Sequence, residues 1–234
     1  MKYNEEPLKY YYGKYGFEIS EVKKTVAGEK YLGMMLEDGR IGVCATLKQK
    51  IDVETINDDS FPDLDNLEHR LIYNAYLNAM LNYRSDYKDE RDIFEFINFG
   101  NYHKIVMIGD FRPLVAKFRQ SEMEVSVFDL FSDREGVMPI EKRGKYLSKA
   151  DGVILTATSI FNNTFHGIME SVNNNCDVFI LGPTAILDED MKRYENVKVI
   201  FGTVFDKNDN RILDIIADNQ GTRHFQKFGK KVYI

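Results

Sequence analysis

The 234 residues suffice for one large domain or two small ones, and 44% hydrophobic with 29% charged residues is the balance of a soluble globular chain. A net charge of −6 without a basic stripe excludes nucleic acid as an expected partner. No run nears the roughly 18 apolar residues of a membrane span, and MKYNEEPLKYYYGKYG has no apolar centre for a secretory signal, so a cytoplasmic protein with no membrane contact is expected.

Over residues 18–47 the rhythm is short and strand-like, and Asp38-Gly39 between YLGMMLE and RIGVCATL marks a two-residue hairpin. Gly33 and Gly42 inside these strands predict bulges or close backbone approach. An acidic loop (52–66) leads to a helix over 67–83 that sets Leu67, Leu71, Ala75 and Leu81 roughly on one face. A charged linker (84–90) closes a small α+β unit, 1–90, and the helix DIFEFINF opens a second unit, 91–234.

From Lys104 the pattern changes. Apolar runs recur as KIVMIG, EVSVFD, GVILT, DVFILG and VKVIFG, starting 20 to 28 residues apart, about one strand–helix unit. Continuous rather than alternating Val, Ile and Leu is the mark of strands covered on both faces. RPLVAKFRQ carries Pro113 in its first turn, and TFHGIMESV spaces Phe165, Ile168, Met169 and Val172 as a helix does. The expected fold is α/β, a Rossmann-like parallel sheet domain preceded by a small α+β domain. Ligands of such sheets bind beyond the carboxyl ends of the strands, near a switch in strand order. GDFRP, Asp129, TATSIFNNT, GPT and GTVFD all fall at that edge.

Each candidate has a plain reading beside the functional one. Asn163 directly precedes a helical pattern and is placed to cap it. Asn162 then has two donors and an acceptor to meet a ligand, or merely serves the turn. Thr156 and Thr158 suit a strand as β-branched residues, or a site as hydroxyls. The Thr164 N–H, in the first helical turn, offers an anion site. Gly109 permits a tight turn, but IGDFRP lacks the further glycines of a dinucleotide fingerprint, so NAD or FAD is not expected. Asp129, twenty residues later at a strand end, can accept from ribose hydroxyls. It thereby keeps an S-adenosylmethionine-like nucleoside, and a transferase, as the alternative; an exposed strand-end Asp is the plain reading. Gly182, Pro183 and Thr184 form a rigid turn with a hydroxyl and backbone amides, and Arg112 suits a carboxylate or phosphate. The four histidines and two cysteines show no zinc spacing. His166 and Glu170, one helical turn apart, can share an ion or simply be solvated. No nucleophile elbow argues for hydrolysis. Cys44 and Cys176 sit inside apolar runs and read as buried thiols, with neither a disulfide nor a structural zinc expected.

The order of these motifs resembles a known family. VMIGDFRPLV, VSVFDL, ADGVILTATSIFNNTF, VFILGPTAIL, VIFGTVFD and GTRHFQKFGKKV are similar to the "Putative heavy-metal chelation" family, domain of unknown function 364, over nearly the whole chain and most specifically from Lys104. The resemblance implies a first domain similar to the enolase N-terminal fold, containing EKYLGMMLEDGRIGVCATL, then a Rossmann-like domain, with the site in the cleft between them. One departure is Asp129, where the family often has Glu. The expected function is binding of a small polar or anionic ligand, with a metal ion or metal chelate compatible with it and no reaction assigned. A homo-oligomer is compatible as well. Met34, Met35, Ile41 and Val43 make the hairpin too apolar to stand alone, so it is expected to pack on the strand-end edge and close the cleft.

Overall fold

Pro7, its φ preset for a first turn, starts a helix that the apolar spacing does not reveal. In this computed structural model, which describes residues 5–57, 60–87, 90–132 and 134–234, α1 (Pro7–Tyr15) is capped by Glu6 and buries Leu8 and Tyr11. Tyrosines take the places where aliphatic residues would announce a helix. Residues 58 and 59 of the acidic loop and 88 and 89 of the charged linker lie outside the described residues.

Three antiparallel strands follow, β1 (Val22–Ala27), β2 (Tyr31–Leu36) and β3 (Ile41–Ala45), with β2 in the middle. Asn66 caps α2 (Leu67–Leu81), which lies across β2 and β3. Gly42 makes that approach feasible: a Cβ there would stand 2.0 Å from the Ala75 carbonyl oxygen. The helix expected over DIFEFINF is shorter. Asp92 and Glu95 cap α3 (Ile93–Phe96) reciprocally, but the Asn98 side chain accepts from the Gly100 N–H and starts a tighter turn.

The second sheet contains β4 (Ile105–Ile108), β5 (Val125–Phe128), β6 (Val137–Met138), β7 (Gly152–Thr156), β8 (Asp177–Leu181), β9 (Val197–Phe205) and β10 (Gly229–Tyr233). Their order is β10-β9-β8-β7-β4-β5-β6, parallel except for β10, which runs antiparallel to β9. The connecting helices are α4 (Arg112–Gln120), α5 (Arg143–Leu147), α6 (Thr158–Phe161), α7 (Phe165–Ser171), α8 (Asn210–Ala217) and α9 (Thr222–Phe225). The fold is thus mixed α/β, a seven-stranded, mostly parallel sheet beside a separate three-stranded antiparallel one.

Both faces of the central strands are buried. Ile105 and Met107 pack with Leu114, Val115 and Phe118 of α4, while Val106 and Ile108 join the cluster of Leu71, Ile160 and Phe165. This two-sided burial is why those runs are continuously apolar. The small sheet is also covered twice. Met34 and Gly42 face α2, while Met35, Ile41 and Val43 pack on Leu213 and Ile216 of α8. A helix from the end of the chain therefore completes the interior of the sheet formed at its beginning. Cys44 and Cys176 are buried and not joined in a disulfide.

Candidate functional site

Strand order reverses at β4: β5 and β6 lie to one side, β7, β8 and β9 to the other. The loops after β4 and β7 part at such a reversal, and here they open a cavity of about 240 Å³.

The β4 loop begins with Gly109 at φ 110, where a Cβ would stand 3.0 Å from that of Thr156. Asp110 follows on the cavity wall, its carboxylate only 7% exposed. Arg134 grips it through both Nε, at 3.0 Å, and Nη2, while the Ser132 hydroxyl donates at 3.2 Å and Arg112 Nε stands at 3.6 Å. Burial works against the charge, but these cations and donors outweigh it and hold the Asp110 carboxyl below the usual carboxylate range. Asp129, at the end of β5, accepts from the Asp110 N–H at 2.8 Å and from the Phe131 N–H at 2.7 Å. Both its oxygens thus tie the β4 and β5 loops together, and the acceptor suited to ribose hydroxyls is engaged within the protein.

Across the crevice Thr156 ends β7, and Thr158 opens α6 rather than continuing a strand. Their hydroxyl oxygens are 3.1 Å apart, and both line the cavity. The asparagine that supports the entry to α7 is not the one expected. Asn162 Oδ1 accepts from the Thr164 N–H at 3.1 Å and from the Thr164 hydroxyl at 2.6 Å, so Asn162 holds the turn that leads into α7. Asn163 is exposed at φ 61 and makes no cap. The chain must pass through a left-handed residue to enter α7, and Asn tolerates that conformation. The Thr164 N–H, expected as an anion site, is already taken by Asn162 and by the Ser159 carbonyl at 3.1 Å. The Asn162 side chain still lines the cavity, with its amide nitrogen unused.

Of the sequence candidates, the cavity brings together Gly109, Asp129, Thr156, Thr158, Asn162 and Thr164. Gly182, Pro183 and Thr184 lie outside its lining, as does Arg112, whose side chain is 66% exposed. Thr184 is 2% exposed, and its carbonyl accepts from Asn74 at 3.2 Å and Asn78 at 3.1 Å. Asn82 continues this row, donating to the Ala185 carbonyl at 2.9 Å and accepting from the Leu187 N–H at 2.7 Å. One face of α2 therefore docks the loop after β8.

Sequence reasoning missed Asp110, Phe111, Leu130, Phe131 and Leu47, all on the cavity wall. A legible signal existed for two of them: Leu130 and Phe131 are bulky apolar residues in a strand-end turn, and they stay 51% and 58% exposed. Leu47 arrives from the segment after β3 at φ 53, followed by Lys48 at φ 65, whose ammonium lies 5.8 Å from the Phe131 ring centre. The small sheet thus reaches the strand-end crevice through this segment, and its Gly39 carbonyl accepts from Asn208 N–H, just beyond β9.

His166 Nδ1 lies 3.7 Å from Glu170, one turn along α7. Among the described residues no group of three or more His, Cys, Asp or Glu is placed to hold a metal ion. No helix among the described residues is long and apolar enough to cross a membrane.

Residues 92–234 match the model of the family DUF364, "Putative heavy-metal chelation". Among solved structures, the chain is similar to a protein with unknown function from the DUF364 family of Pyrococcus horikoshii, at 21% identity and TM-score 0.77, covering 91% of this chain and 92% of that one. It is also similar to a DUF364 protein with unknown function from Desulfitobacterium hafniense DCB-2, at 20% identity and TM-score 0.72, covering 91% of each chain. At these identities the likeness concerns the fold. No curated protein matches the chain.

Proposed function

We propose, from the premise that the chain belongs to the DUF364 family, "Putative heavy-metal chelation", that it binds a small polar or anionic ligand in the strand-end crevice and that metal arrives there already chelated. The observation that carries this reading is the convergence of Thr156, Thr158 and Asn162 with the β4 and β5 loops and with Leu47 at the reversal of strand order. The hydroxyls and the free Asn162 amide supply donors for a polar head. Leu47, Phe111, Leu130 and Phe131 supply an apolar wall.

The donor chemistry supports a chelate over a bare soft metal. Cys44 and Cys176 are buried away from this cavity, and Asp110 and Asp129 are committed to Arg134 and to backbone N–H groups. A chelate brings its own ligand atoms and asks the protein only for hydrogen bonds and shape. In this reading the cleft lies between an enolase N-terminal-like unit, which the small sheet and α2 form, and a Rossmann-like unit. The protein works in the cytoplasm, and self-association is compatible with the site.

The test is a thermal-shift panel of ferric citrate, nickel citrate, free citrate and the metal chlorides. A ligand that binds only the folded chain raises its melting temperature by mass action. A chelate should stabilise more than its components, and Thr158→Val should abolish the gain. A panel in which no anion or chelate shifts the transition, or a shift undiminished by Thr158→Val, sinks the reading.

A further inference from the structure

We propose that the chain carries a second ligand site, for a small phosphorylated molecule, at the opposite edge of the seven-stranded sheet. A cavity of about 330 Å³ lies there, between the starts of β4 and β5 and the helix α5. Lys104 enters it from the residue before β4, Lys145 from α5 and Lys149 from the turn beyond. Ile105, Val106 and Tyr146 provide its apolar surface.

The lining carries an excess of positive charge in a chain of net charge −6, with Lys104, Lys145 and Lys149 against Glu124. None of the three ammonium groups pairs with a carboxylate among the described residues, Glu124 on the wall included; the Asp151 carboxylate beside the hollow accepts from the backbone N–H groups of His103 and Lys104, each at 2.8 Å. Lys145 on α5 and Lys149, two residues past its end, set two like charges on one wall. Three lysines lining one hollow match a phosphate monoester dianion, which lysine binds as a point charge. The apolar surface beneath takes the body of the molecule, and the volume is that of a small-ligand pocket.

The site is independent of the strand-end crevice, so its test is separate. Titration calorimetry of the full chain at low ionic strength would use phenyl phosphate, inorganic phosphate and benzyl alcohol. Phenyl phosphate should bind most tightly, inorganic phosphate more weakly and benzyl alcohol not at all. Lys145→Gln/Lys149→Gln should weaken phenyl phosphate at least about tenfold, as loss of two charge-assisted contacts to one dianion implies. Thr158→Val should leave this binding unchanged. Both lysines are exposed, so the double variant keeps its fold, which an unchanged melting curve without ligand verifies. Absence of phosphate and phenyl phosphate binding at millimolar concentration overturns the proposal, and so does equal binding by the double variant.

Discussion

Arg70 Nε donates to the carbonyl of Phe161 at 2.8 Å, which ties the first turn of α2 to the end of α6, one residue before Asn162. The same guanidinium donates to the Ile160 carbonyl at 2.8 Å and to the Leu64 carbonyl at 3.0 Å, and pairs with Glu6 at 2.6 Å. With 3% of its side chain exposed, Arg70 is a buried cation whose donors are met by the backbone of the strand-end loop and by the cap of α1.

Replacing Arg70 with Met leaves the largely buried Glu6 carboxylate without its cation and three carbonyls without this donor, and the expected loss is about 3–5 kcal/mol. Adding Glu6→Gln should recover part of that loss, because the uncompensated charge is then gone. Urea unfolding of both variants checks this. An Arg70→Met protein within about 0.5 kcal/mol of wild type would show that the pair is dispensable.

Asn162 and Asn163 separate cleanly. Asn162→Ala removes the acceptor for the Thr164 N–H and hydroxyl and should lower stability by about 1 kcal/mol. Asn163→Gly should leave stability level or slightly raised, since glycine adopts φ 61 without strain. Thermal melts of the two variants decide, and the reverse order would mean that Asn163 is the cap after all.

Asp110 predicts an acid-sensitive step. Its folded pKa is lowered, so the stability it adds is fully present above the ordinary carboxylate pKa of about 4 and is lost as pH falls through the lower folded value. Asp110→Asn should thus cost about 1 kcal/mol at pH 7, a modest figure because Arg134 is one-third exposed. The gap to wild type should close as the pH drops toward 3. Denaturant melts at both pH values measure it, and a gap that widens in acid would contradict the assignment.

The amide row on α2 should behave as a unit. Asn78 donates to the Asn74 and Thr184 carbonyls and accepts from Asn82 at 2.9 Å. Asn78→Ala takes one of two donors from the Thr184 carbonyl and leaves a buried Asn82 N–H without its acceptor, and should cost about 1–3 kcal/mol. Combined with Asn82→Ala, the total should fall short of the sum, because the shared bond is lost only once. A double-mutant cycle with zero coupling energy would refute the network.

Much of this architecture is legible in local pattern. Runs such as KIVMIG and DVFILG are continuous because both faces of the strands are buried, and α2 shows its apolar face at helical spacing. The edge that holds the crevice follows from the same pattern, since parallel strands end together. Tertiary structure alone decides which polar group serves which partner. Asn162 and Asn163 are the same residue type side by side, and only the left-handed turn into α7 makes one the acceptor for Thr164 and the other an exposed link. The partners of Gly182–Thr184 are set at long range: Asn74 and Asn78, more than a hundred residues away in sequence, donate to the Thr184 carbonyl. Leu47 comes to the crevice, and Arg70 to the loop beside it, from segments whose pattern points nowhere near either. Apolar periodicity reports which face of an element leaves water, and it is local. A hydrogen bond is directional and short, so its partner is set by where the packed elements finally place each donor.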